Sequence, residues 1–114
     1  MRGANTRFSP ALVSQLTEAS IDFVSTGDNT LVAGVGGQSV KVYKLFFVAS
    51  AATTVVFKSG ATALTGAITL NAGGSVVLDF DAEPWFTTGT AAAFVLNQSG
   101  TAQISGRVYF IQGA

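Results

Sequence analysis

The sequence predicts an all-β domain: an antiparallel two-sheet sandwich of jelly-roll or Greek-key type with about eight or nine strands. Three observations carry this. Apolar and polar residues alternate over short runs from Glu18 to the end of the chain. Those runs are separated by Gly-rich turns at a spacing of roughly 8–12 residues. No amphipathic stretch exceeds about two helical turns.

Residues 1–17 stand apart from this pattern, with two arginines, mixed polarity and no alternation. Ser9-Pro10 ahead of Leu12 and Leu16 fits a short N-capped helix. An extended arm laid across a neighbouring subunit fits equally, and either form serves assembly. From Glu18 onward (residues 18–114) the chain reads as the sandwich domain. Ala19, Ile21 and Phe23 alternate with Ser20 and Asp22 as a half-buried strand. Asp28-Asn29 reads as a turn and Thr30 to Val35 as the second strand, closed by Gly36-Gly37. Ser39 to Ser50 is the longest strand. Val40 and Val42 alternate with Lys41 and Tyr43, but Leu45-Phe46-Phe47-Val48-Ala49 is apolar on both faces, so another element or another subunit is expected over its outer side.

Thr53 to Lys58 follows, with Ser59-Gly60 as its turn. Ala63 to Leu70 supplies one or two short strands, and Asn71-Ala72-Gly73-Gly74 is a loop that needs positive φ. In Ser75 to Asp81, Val76, Leu78 and Phe80 point one way, while Val77, Asp79 and Asp81 point the other. Glu83-Pro84-Trp85-Phe86 forms an aromatic corner. Ala92 to Leu96 is then a strand, Asn97-Gln98-Ser99-Gly100 a turn, and Thr101 to Ile111 the last long strand. Its inner face is Ala102, Ile104, Val108 and Phe110; its outer face is Gln103, Ser105, Arg107 and Tyr109.

The inventory excludes most chemistry. The 114 residues contain no histidine and no cysteine, which removes the commonest metal ligand and general base as well as any thiolate site or disulfide. Serines therefore lack a histidine or cysteine partner, and Lys41 and Lys58 lie on strands with outward alternation. Neither glycine pair precedes a helix N-terminus that could cradle phosphate. No catalytic residue, cofactor site or metal site is expected, and the chain is not read as an enzyme. Six basic residues balance six acidic ones, so no phosphate-tracking patch forms and nucleic acid is not an expected partner. No run reaches the ~18 apolar residues needed to span a bilayer, so no membrane partner is expected either. Charged residues make up 11% of the chain against a usual ~25%. A surface this poor in charge resists self-association weakly, which points to partner chains covering part of it, most simply copies of itself.

Two features invite a binding reading. Asp79, Asp81 and Glu83 recur at period two, but the D-x-D-x-D-G spacing of a calcium loop is missing, and charges that guard a strand edge explain them as well. Trp85 and Phe86 follow Pro84 in a loop. There Trp85 either closes the open end of the sandwich or presents an indole to a neighbouring subunit or a sugar ring.

The turns and corners carry a resemblance. Lys58-Ser59-Gly60, Leu64-Thr65-Gly66, Pro84-Trp85-Phe86-Thr87-Thr88-Gly89, Leu96-Asn97-Gln98-Ser99-Gly100 and Gly106-Arg107-Val108-Tyr109 together resemble small β-sandwich structural proteins of tailed-bacteriophage virions, the capsid decoration or cement proteins. The match runs from Lys41 to Phe110 and leaves out the N-terminal segment. It implies a structural protein of the virion head surface, assembled in the host cytoplasm. It also implies a homo-oligomer, with a trimer favoured, that contacts the major capsid protein and stabilises the shell. The residues expected at its interfaces are Arg2, Arg7, Phe8, Phe46, Phe47, Trp85 and Tyr109. The alternative is a tail-fibre or receptor-binding module that recognises carbohydrate, with Trp85 stacked on the sugar beside Asp81 and Glu83.

Overall fold

Strand pairing in this protein is nested, and the nesting generates the two layers. The structure is a computed structural model that describes residues 16–114. The readings made for Arg2, Arg7, Phe8 and the helix or arm before Leu16 lie outside the described residues. Ten strands follow in order: β1 (Thr17–Phe23), β2 (Gly27–Val32), β3 (Ser39–Ala49), β4 (Thr53–Ser59), β5 (Thr62–Ala63), β6 (Ile68–Leu70), β7 (Ser75–Leu78), β8 (Phe86–Thr87), β9 (Phe94–Gln98) and β10 (Ile104–Gly113). The outermost pair is β1 with β10. Inside it lie β2 with β9, then β3 with β7 and β8, then β4 with β5 and β6; every pair is antiparallel.

Successive pairs alternate between layers. The first sheet runs β1-β10-β3 with β7 and β8 sharing its far edge. The second runs β2-β9-β4 with β5 and β6 sharing theirs. A long folded hairpin rolled into two sheets in this way is the jelly roll.

Between the layers, Phe47 of β3 and Phe86 of β8 come from the first sheet, and Phe57 of β4 and Phe94 of β9 from the second. Phe57 sits at their centre, with ring centroids 6.2 Å from Phe47, 4.8 Å from Phe86 and 5.8 Å from Phe94. Val42, Leu45, Val55, Leu96, Ile104 and Val108 fill the space around them. The aromatic corner thus divides: Phe86 enters the core, while Trp85 stays outside it at 47% exposure. Trp85 does not close the sandwich. Its indole Nε1–H donates to the Asp79 carbonyl (2.7 Å) and its backbone N–H to the Val42 carbonyl (2.7 Å), which pins the loop between β7 and β8 against β3.

Several boundaries differ from the sequence reading. Asp28 and Asn29 lie within β2, because the turn falls earlier, at residues 24–26, where the Asn29 amide donates to the carbonyls of Ser25 and Gly27. Asn97 and Gln98 complete β9 instead of turning. Gln98 is wholly buried, and all its polar capacity is used. Its Oε1 accepts from Thr53 Oγ1 (2.9 Å) and the Ala102 N–H (3.2 Å), and its Nε2 donates to the carbonyls of Ala102 (2.9 Å) and Ser25 (3.2 Å). The loop after β6 turns at Gly73 with φ 79°, the left-handed conformation expected there.

A bulge in β3 resets the alternation. Tyr109 pairs with Lys44 and Phe110 with Val42, so Tyr43 has no counterpart on β10. Before the bulge Val40 and Val42 point inward; after it Leu45, Phe47 and Ala49 do. Tyr43, expected to face solvent, is instead buried and stacks on Phe80 with centroids 6.0 Å apart.

Candidate interaction surface

The outer face of the first sheet is built in rows, because residues directly opposite one another in an antiparallel sheet point to the same side. One row crosses all four positions: Ser20, Arg107, Phe46 and Val77. A second holds Asp22, Ser105, Val48 and Ser75. A third holds Glu18, Tyr109 and Lys44. Four charged groups of this face have partners within it. Arg107 donates to the Glu18 carboxylate, Gln103 Nε2 donates to Asp22 Oδ1 (2.7 Å), and Lys44 Nζ stands 5.3 Å from the centroid of the Tyr109 ring.

The other half of the face is apolar. Phe46 is 40% exposed, Val48 45% and Val77 61%, and their registers make them neighbours across β3 and β7. The sequence reading placed cover over both sides of residues 45–49. Among the described residues only the inner side is covered, by the second sheet, and the outer side is open. The two phenylalanines expected at interfaces separate accordingly: Phe46 lies on the open face, whereas Phe47 is enclosed in the core and has no surface to offer a partner. Tyr109 lies on the outer face beneath Lys44, where it was expected. Val48 and Val77 belong to the same patch and were not singled out in the sequence. The alternation of Val77 with Val76 and Leu78 was the signal that could have found the second of them.

The acidic segment does not form a cation site. β7 ends at Leu78, so Asp79, Asp81 and Glu83 sit on an exposed loop and not on one strand face. No group of three or more potential metal ligands occurs among the described residues. The Asp81 carboxylate turns back to accept the backbone N–H of Ala82 (2.6 Å).

A second polar cluster lies on the second sheet, where Asp28 of β2, Asn97 of β9 and Lys58 of β4 meet. Asp28 accepts from Asn97 Nδ2 (2.7 Å) and Lys58 Nζ (2.9 Å). The Asn97 amide first, and then the Lys58 ammonium, hold the Asp28 carboxyl below its ordinary value of 3.8. This cluster joins three adjacent strands, and its members bond to one another, so it serves the sheet. Comparison with family models, with curated proteins and with solved structures found no match.

Proposed function

We propose that this chain is a structural virion protein, a capsid decoration protein that associates with copies of itself on the head surface and stabilises the shell. The observation that carries the reading is the outer face of the first sheet, where Phe46, Val48 and Val77 are exposed side by side while the neighbouring Arg107 pairs with Glu18 and Asp22 accepts from Gln103. An apolar patch of this kind marks a surface that binds another macromolecule. The turn and corner motifs that resemble phage decoration proteins supply the identity of that partner, the major capsid protein, and favour a trimer. The jelly roll also occurs in viral capsid domains, a fold-level analogy that supports the reading without deciding it. Such a protein works by burying surface across several capsid subunits, so that expansion under DNA pressure must break many contacts together.

The test adds the purified chain to heads assembled without it and follows head melting. Binding and a raised melting temperature are expected, both diminished by Phe46→Asp. A chain that leaves the heads unbound and unchanged rules the reading out.

The exposed indole of Trp85 favours a second reading, a carbohydrate-recognising module of a tail fibre, with the ring stacking on sugar beside Asp81 and Glu83. A glycan array decides it. Binding by the wild type that Trp85→Ala abolishes would support it, and no binding by either protein would discard it.

A further inference from the structure

We propose that two copies of this chain associate edge to edge through β7, in an antiparallel two-fold strand pairing centred near Val77. Among the described residues four sheet edges are exposed; two carry charge and two are divided into short strands, of which the four-residue β7 is the longest. Strand β1 carries Glu18 and Asp22, β2 carries Asp28, and the edge after β4 is broken into the short strands β5 and β6. Charges and short segments of this kind block pairing with a foreign strand. Strand β7 reads Ser75-Val76-Val77-Leu78 and carries no charge. Among the described residues it pairs with β3 on one side only, so alternate residues turn their N–H and C=O groups away from the sheet.

The side chains select the occupant. In an antiparallel pairing centred near Val77, the outward valines of both copies fall on the same face. Each valine already neighbours Phe46, so the two apolar patches merge into one continuous stripe across the joint. Charge selects the direction. Asp79, Asp81 and Glu83 follow β7 immediately, and a parallel pairing would stack the acids of the two copies. The antiparallel pairing instead sets each acidic loop beside the Gly73-Gly74 turn of the other copy. There a Cβ built on Gly73 meets nothing within 4 Å, so space is free. Such a contact is self-complementary and closes as a dimer. Four paired residues bury well under the ~1,200 Å² of a standard interface, so the free chain associates weakly, at about 10–100 µM.

Sedimentation of the full chain from about 1 µM to 1 mM is expected to show a reversible monomer–dimer equilibrium. Val77→Lys, which sets like charges across the two-fold, is expected to weaken it at least about tenfold with an unchanged circular dichroism spectrum. The chain has no cysteine, so Val77→Cys should oxidise to a single covalent dimer, while Thr69→Cys on β6 should remain monomeric. A wild type that stays monomeric at 1 mM, or forms a trimer indifferent to Val77→Lys, overturns the proposal, as does equal cross-linking at Thr69. The contact is read from the edge itself and does not depend on the virion reading. Dimers that fail to bind heads would sink only that reading, and heads bound equally by wild type and Val77→Lys without dimers would sink only this one.

Discussion

Gly106 lies in β10 opposite both Ile21 and Phe47, at the centre of the first sheet. A Cβ built there would stand 1.8 Å from the Phe46 carbonyl oxygen and 2.7 Å from the Phe47 Cα, all main-chain atoms that cannot swing aside. Gly106→Ala is therefore expected to destabilise the fold by about 3 kcal/mol or more, measured by denaturant unfolding, because the central strand pair itself must move. Asp28 gives a milder and pH-dependent case. Its folded carboxyl titrates below the unfolded one, so its contribution is present above about pH 4 and is lost as the pH falls through the folded value. Asp28→Asn should cost under about 1 kcal/mol at neutral pH, as expected for a half-exposed pair. The difference from wild type should disappear on acidification. A difference that grows toward pH 2 would contradict the assignment.

Among the elements, β9 shows how a polar residue can be structural. Asn97-Gln98-Ser99-Gly100 looks like a turn because three of its residues favour turns. Gln98 reverses that expectation by tying the end of β9 to Thr53, Ala102 and Ser25. Gln98→Ala should cost about 2–4 kcal/mol, since it orphans a buried hydroxyl and main-chain groups. A loss below 1 kcal/mol in thermal or chemical unfolding would mean that water replaces the amide. Strand β3 explains a different misreading. Extending the phase of Val40 and Val42 would put Phe46 and Val48 inside, and the apolar run from Leu45 to Ala49 offers no polar residue to correct it. The bulge at Tyr43 shifts the phase by one residue. Which phenylalanine faces out is thus decided by pairing with β10, some sixty residues further along. Alternation alone did locate β1 and the inner face of β10, where polar residues such as Ser20, Asp22, Ser105 and Arg107 mark the phase.

For the whole molecule, the two-layer architecture was legible because turn glycines and strand-length runs recur throughout the chain. The open face of the first sheet was legible only as a suspicion about residues 45–49, since its other half, Val77, joins it through pairing across the sheet. The nested topology also governs kinetics. Its innermost pairs are local, but β1 must find β10 across most of the chain, as in the Glu18–Arg107 contact at a separation of 89 residues. Folding dominated by such distant pairings is slow, on the order of milliseconds to seconds. Stopped-flow refolding within microseconds would be inconsistent with this topology.

The adjacency of the first and last strands carries one more consequence. Thr17 stands opposite Phe110, so a short peptide could join the two ends of the domain, and the chain could be cut anew in the turn at Gly73. In such a circular permutant β10 and β1 become a local hairpin, while β3 and β7 become the distant pair. The same sandwich would then be reached by closing a different loop last, which separates the strand order of the gene from the strand order of the fold.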